Sequence, residues 1–376
     1  MTDRLPLLAS LGLLACAALP LAATTAPGAG DPPCREADLL SRARQLTFDG
    51  RRAGEGYFSP DGRRMVFQSE RVAGNPFFQI FEFDLETGST RQISPGVGKT
   101  TCPFFRPGSR DVLFASTHHD PSSEEHQRAE IELRASGRDR RYEWDFDPEM
   151  DLYVAGAGAL RRLTEQRGYD AEGSYSPDGN WIVFASTRRA YETELPPDDR
   201  RRLETDPSWF ADVYRMRADG TGVERLTDVP GYDGGPFFTA DGTSIVWRRF
   251  APDGAIADVW IMDADGSDPR RLTDFGSMSW APYPHPSGEY VFFTSNKHGF
   301  GNFELFVVDI GGTREPVRVT CTDGFDGLPV PSPDGRMLSW TSNRRGTSQI
   351  FLADWNHERA LEAIRRAPAR NNGTTP

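Results

Sequence analysis

The chain has 376 residues, 26% charged and 37% hydrophobic, with a formal net charge of −12. An acidic surface of this kind argues against a nucleic-acid partner, which needs clustered Lys and Arg. Glycine and proline number 37 and 29, the punctuation of a turn-rich β protein.

The first segment reads as an export signal. Arg4 precedes an apolar stretch over residues 5–15, and Ala and Leu continue to Ala23. That is too short to span a bilayer as a helix and suits a secretory signal over residues 1–23. The run Leu13, Leu14, Ala15, Cys16 resembles a lipoprotein box and makes Cys16 a candidate for lipidation. Cleavage near residues 23–26, leaving a soluble periplasmic protein, is the alternative. Residues 24–41 follow as a linker, with a Gly/Pro/Ala tether at its start and a short helix expected over 37–44. Of the four cysteines, Cys16, Cys34, Cys102 and Cys321, the last three permit one disulfide and an odd thiol in an oxidising compartment. Separate thiols are the other possibility.

From Leu46 onward the chain repeats. Leu-Thr-like pairs begin at Leu46, Ile93, Leu163, Leu226, Leu272 and Val319, and fourteen residues after each lies Pro60, Pro107, Pro177, Ala240, Pro286 or Pro333. Six equal intervals mark a repeat protein. The second landmark is a Ser-Pro-Asp-Gly turn, whole at 59–62, 176–179 and 332–335. Pro presets φ, Asp bonds its own backbone, and Gly takes the positive φ. Alternating apolar runs flank each turn, so each repeat offers four short antiparallel strands, the pattern of a propeller blade. The reading is all-β: a six-bladed propeller over residues 42–355, closed by an N-terminal strand that completes the last blade. The intervals between pairs are 47, 70, 63, 46 and 47 residues, against about 40–50 for a four-stranded repeat. The two long ones carry insertions between second and third strands, at 118–150 and 188–211. Helices are expected from Ser122 to about Arg134 with Gly137 as stop, over 197–205, and over 358–366 within the C-terminal helix and tail of 356–376.

Because the chain reverses at every strand, the connectors into the blades and both insertions emerge on one face, and the Ser-Pro-Asp-Gly turns on the other. Seven and nine residues past the pairs, five carboxylates approach the channel mouth on the connector face: Glu55, Asp170, Glu172, Asp233 and Asp326. With Lys99 and Trp280 they form the candidate binding site of the mouth. A ring of bases, Arg71, His118, Arg188, Lys297 and Arg344 with Arg248 and Arg249 nearby, offers an alternative: each acid pairs structurally with a neighbouring Arg. The insertions form a second candidate surface, a wall holding Arg140, Arg141, Tyr142, Trp144, Trp209 and Phe210, residue types that carry interface energy. The run 96–100 lacks the leading Gly and the following helix of a phosphate loop. The run 263–268 lacks the spacing and the final Glu of a calcium loop and suits a hairpin. His118, His119 and His126 share an insertion without metal-ligand spacing, so neither metal nor other cofactor is expected.

The Arg-Leu-Thr runs, the acidic connectors, Ser-Pro-Asp-Gly and the Met-Asp-Ala-Asp-Gly-Ser run at 262–267 resemble the repeats of the TolB-like family of periplasmic propellers. The resemblance spans about residues 44–355. It implies the propeller fold. With candidate residues that match no catalytic motif and an insertion wall rich in interface residues, the expected function is a non-catalytic scaffold at the cell envelope, periplasmic or lipid-anchored through Cys16, that engages protein or peptide partners as a monomer. The chain also departs from the family: it leaves no room for the extra N-terminal domain of TolB, nor, with 21 residues after Trp355, for the hydrolase domain that follows similar propellers in secreted peptidases. A propeller lyase or hydrolase acting on a glycan or peptide through the channel carboxylates is the alternative, as is a detached accessory propeller of a peptidase.

Overall fold

The computed structural model describes residues 34, 36–137, 146–156, 158–252 and 254–370. Residues 1–33, including the candidate lipidation site Cys16, and Arg140, Arg141, Tyr142 and Trp144 lie outside the described residues. Twenty-four strands form six separate four-stranded antiparallel sheets. In each, the strand after the connector is innermost and the strand carrying the Leu-Thr corner is outermost. The inner strands are Ala53–Phe58, Thr100–Phe105, Asp170–Tyr175, Asp233–Phe238, Ser279–Pro284 and Asp326–Pro331. The sixth sheet takes Leu40–Gln45 as its outer strand, paired antiparallel to Gln349–Trp355, with Leu40 opposite Trp355 and Gln45 opposite Phe351. The ends of the chain thus close the ring, and no blade is left with an open third-strand edge.

The Ser-Pro-Asp-Gly turns are built as their chemistry dictates. In the first, Ser59 Oγ accepts from Arg64 N at 2.9 Å while Asp61 caps Arg63 N, and Gly62 sits at φ +68°. The second and third copies repeat these bonds at Ser176 and Ser332. Between blades, the second and third strands bury their alternate side chains completely, among them Phe67, Phe114, Phe184, Trp247, Phe292 and Trp340. These form the inter-blade core.

The Leu-Thr corner is a buried polar device. Its hydroxyl accepts a backbone N–H near the start of the third strand in all six blades, that of the second residue in five and of the third, Val259, in blade 4, at 2.9–3.0 Å. It also donates to the side chain that opens, or nearly opens, that strand: Gln79, Asp151, Asp212, Asp258, Glu304 or Gln349. In the four acidic cases the Arg preceding the corner pairs with the same carboxylate: Arg162 with Asp151, Arg225 with Asp212, Arg271 with Asp258 and Arg318 with Glu304. In the two amide cases the preceding residue is itself an amide, Gln92 or Gln45, which turns onto the corner carbonyl.

Helices occur at Ser123–Ala135, Arg189–Glu192, Pro197–Thr205 and His357–Arg366, the last capped by Asn356 Oδ1. The N-terminal helix is shorter than the sequence suggests. It covers only Glu36–Leu39, because from Leu40 the backbone is recruited into the sixth sheet and the ladder outweighs local helix propensity. Ser122 precedes its helix as N-cap residue without a side-chain cap bond. Among the described residues no helix is long and apolar enough to cross a membrane.

Cys34 is joined to Cys321, their Cα atoms 6.2 Å apart, and Cys102 is a buried free thiol. The bridge links positions 287 residues apart, across the closure of the ring. Glu36 reinforces it, accepting from Cys321 N at 3.1 Å and pairing with Arg344 at 2.9 Å. Cys321→Ser should lower unfolding stability by about 2–4 kcal/mol. Urea titration of the variant, and of the wild type in dithiothreitol, measures this; equal midpoints with and without the bridge would show that strand pairing alone holds the ring.

Candidate central cavity

The residue nine places past each Leu-Thr pair adopts the left-handed conformation in every blade: Glu55, Cys102, Glu172, Gly235, Ala281 and Leu328, at φ +50° to +58°. Each lies in a bulge of its inner strand, where the register against the second strand slips. The next residue is Gly56, Pro103, Gly173, Pro236, Pro282 or Pro329, types that suit a position outside the ladder. Bulge N–H groups bond across to the neighbouring blade: Glu55 N to Thr341 Oγ1, Cys102 N to Gln68 Oε1 and Leu328 N to Thr294 Oγ1, at 3.0–3.4 Å. For five non-glycine residues this conformation costs roughly 1–2 kcal/mol each, and such strain gathers at functional sites.

The six bulges encircle a cavity on the propeller axis. Its lining includes Glu55, Tyr57, Gln68, Cys102, Glu172, Arg248, Trp280 and Tyr283. Space for the centres of water molecules is about 80 Å³, room for several. Toward the turn face, rings from four inner strands close the channel: Tyr57, Phe104, Phe237 and Tyr283 have centroids 4.8–6.1 Å apart. The cavity lies on the connector side of this floor.

Its two carboxylates differ. Glu172 accepts from Arg248 at 2.7 Å and Gly235 N at 2.6 Å, and also from the Tyr232 hydroxyl. Arg248 lies over the Tyr232 ring, 4.6 Å from its centroid. Glycine at 235 leaves room for this guanidinium, since a Cβ there would stand 2.0 Å from Arg248 Nη1. Glu55 accepts from the Tyr57 hydroxyl at 3.1 Å and from the Cys102 thiol, and forms no ion pair with any described base. Burial pushes its pKa up to about 7, opposed by the thiol bond and assisted by the charge of Glu172. Burial, with the charges of Glu55 and Glu172, also raises the Cys102 pKa, keeping the thiol protonated as a donor.

Of the candidates at the mouth, Glu55, Glu172 and Trp280 line this cavity. The others do not. Asp170 is fully buried against Arg188 and Ser186, Asp233 against Arg249 and Trp247, and Asp326 against Arg344 and Trp340. Counting by twos along the strand puts positions seven and nine on one side; the bulge between them turns position seven back into its own blade. Lys99 pairs with Asp147 at 2.7 Å, outside the cavity. Arg248, Tyr57 and Cys102 complete the site, and the Gly/Pro column after position nine is the sequence signal that marks it. In the insertions, Trp209 is half-buried under Arg202, 4.0 Å from its ring centroid, whereas Phe210 is buried beneath Arg189 and belongs to the core. His118 bonds Ser116 and His119 bonds Tyr153 and Arg162, their rings 6.4 Å apart beside Tyr153, while His126 approaches Asp120. The loop after Asp263 is a hairpin turn between the third and fourth strands.

No family model matches the chain. A stretch of 109 residues is 39% identical to an uncharacterized protein of Agrobacterium fabrum, covering 28% of this chain and 31% of that one. A stretch of 166 residues is 22% identical to the uncharacterized peptidase YuxL of Bacillus subtilis, 41% of this chain and 24% of that one. The matches therefore span a third or less of these relatives. Among solved structures, a putative TolB from Agrobacterium tumefaciens superposes with TM-score 0.55 at 18% identity, covering 83% of this chain and 94% of that one. The chain shares the six-bladed propeller fold of that protein. The likeness is one of fold: the oligogalacturonate lyase of Vibrio parahaemolyticus also superposes, with TM-score 0.50 at 12% identity over 84% of this chain and 94% of that one.

The raised pKa of Glu55 has a signed consequence. The unfolded carboxyl titrates near 4.5 and the folded one near 7, so the folded state holds the extra proton between these values. Stability from this group is present below pH 4.5 and declines as pH rises through 7, by about 3 kcal/mol in all. Glu55→Gln removes the titration. Denaturant unfolding of both proteins across this range should show the wild type losing about 3 kcal/mol relative to the variant; a constant difference would mean that Glu55 titrates normally.

Proposed function

We propose that this TolB-like propeller is a non-catalytic binding protein of the cell envelope that engages a protein or peptide partner through its connector face. The observation that carries the proposal is the distribution of exposed apolar side chains. The two most exposed large hydrophobic residues described, Phe300 at 76% and Phe48 at 69%, both stand on connector-face loops. Val229 joins them from the connector into blade 4, and Ile131 from the helix of the blade 2 insertion. Exposed apolar groups on a face that also bears both insertions are what a docking surface requires. The helix Ser123–Ala135 is fixed to this face by Gln127, which bonds Gly98 N and Gly74 O, and by Arg134, paired with Glu70. It therefore presents a rigid ridge. The Cys34–Cys321 bridge supports an oxidising compartment, in keeping with the export signal of residues 1–23. Three of the five channel carboxylates are spent in pairs within blades, which supports binding over acid–base chemistry there.

The test is affinity capture from envelope extracts with three baits: the intact protein, a Phe48→Asp/Phe300→Asp variant, and a protein whose residues 118–150 are replaced by a short Gly/Ser loop. A partner held by the first and lost by the second is the expected result, since interface anchors commonly contribute about 2 kcal/mol or more each. Equal recovery by all three baits, or turnover of a glycan or peptide by the purified protein, would refute the reading.

A further inference from the structure

Of the carboxylates around the channel, Asp170, Glu172, Asp233 and Asp326 each have an arginine within 2.7 Å. Glu55 alone has none among the described residues. It is nine-tenths buried, and it lines a cavity that holds two carboxylates and one guanidinium. Arg248 is already committed to Glu172 and stacked on Tyr232. The rest of the lining is neutral and strongly aromatic: Tyr57, Phe237 and Tyr283 form the floor, and Trp280 a wall. Trp280 is itself fixed by Phe303 and Phe325, at 6.1 and 6.2 Å between centroids. Among its described lining residues the cavity holds one cation for two carboxylates and surrounds them with π faces, whose quadrupoles attract cations.

We propose that the axial cavity binds an organic cation, an ammonium or guanidinium group, with Glu55 as its counter-ion and Trp280, Tyr57, Phe237 and Tyr283 as its aromatic walls. The size fits one such group with a short apolar stem. The strained bulge at Glu55 holds its carboxylate on the axis, because Glu55 N is tied to Thr341 and Oε1 to Tyr57. The proton and the cation compete for the same carboxylate, so binding strengthens with pH until Glu55 is fully ionised. This inference does not rest on the docking reading: the cation is the group of a free small molecule or of a basic side chain, and the connector loops can be altered without touching the cavity.

Isothermal titration of the purified protein with n-butylammonium, and with n-butanol as its neutral counterpart, tests the proposal. Butylammonium should bind near pH ~8, butanol should not, and Kd should rise about tenfold per pH unit below the Glu55 titration. Glu55→Gln should weaken binding at least about tenfold and abolish its pH dependence, while Trp280→Leu should weaken it about three- to thirtyfold and keep that dependence. The Trp280 variant decides the matter if the Glu55 variant does not fold. A peptide with one lysine, compared with its alanine counterpart, separates the sources: tighter binding than butylammonium points to a side-chain ligand and equal or weaker binding to a free amine, both consistent with the proposal. Equal affinity for butanol, a Kd unchanged between pH ~5 and ~8, or wild-type affinity in Glu55→Gln would overturn it.

Discussion

The whole ring depends on one buried arrangement, the Leu-Thr corner. A propeller blade must end its outer strand, turn inward toward the axis and begin the next blade, and the turn leaves backbone groups of the third strand without ladder partners. A buried unpaired N–H costs about 1–3 kcal/mol. The corner hydroxyl supplies the missing acceptor in all six blades and passes its own proton to the side chain at the start of the third strand. Where that side chain is a carboxylate, an arginine neutralises it; where it is an amide, an amide stands in the arginine's place. A buried carboxylate without a cation, or a cation without a carboxylate, is expensive, so the two positions change together. The same logic explains why Asp151 and Asp212 are pushed up to about 6 by burial despite their arginines: the pairs offset desolvation only in part.

From this scaffold the axial cavity follows. The corner fixes where each inner strand begins, and the bulge nine residues later lifts one residue per blade out of the ladder and onto the axis. Strain is distributed over six blades and held by bonds to the neighbouring blade, so no single blade has to bear it. The result is a ring of side chains whose identity is free to vary, because none is needed for the ladder. Here the ring reads Glu, Cys, Glu, Gly, Ala and Leu. Its two acids meet different fates: Glu172 faces blade 4, where Gly235 leaves space for Arg248, whereas the Glu55 carboxylate meets the Tyr57 hydroxyl of its own blade and the Cys102 thiol of blade 2.

The fold was legible because its signals are local. Ser-Pro-Asp-Gly sets turn geometry within four residues, and equal spacing between corner and turn transmits that geometry to every blade. Ring closure was legible for a related reason: a lone outer strand at one end complements a three-stranded blade at the other. The site was legible only in part. Strict alternation placed Asp170, Asp233 and Asp326 beside Glu55 and Glu172, and the bulge that separates them is a conformational event that alternation does not encode. The Gly/Pro column at position ten carries its trace. Lys99 was misplaced because Asp147, forty-eight residues away, claims it from within an insertion. The short N-terminal helix shows the same limit: Leu40 is drawn into a sheet by a strand more than three hundred residues distant.

Whether acid and base in the corner form one charge-matched unit can be read from a double-mutant cycle in blade 5. There Glu304 is fully buried, accepts from Thr320 at 2.7 Å and pairs with Arg318 at 2.7 Å. Unfolding free energies would be measured for Arg318→Gln, Glu304→Gln and the double substitution, which copies the amide chemistry of blades 1 and 6. Arg318→Gln alone should cost about 3–5 kcal/mol, because it strands a buried carboxylate, and the double variant should cost less than that single one. Additive costs, with the double variant the least stable of the three, would contradict it.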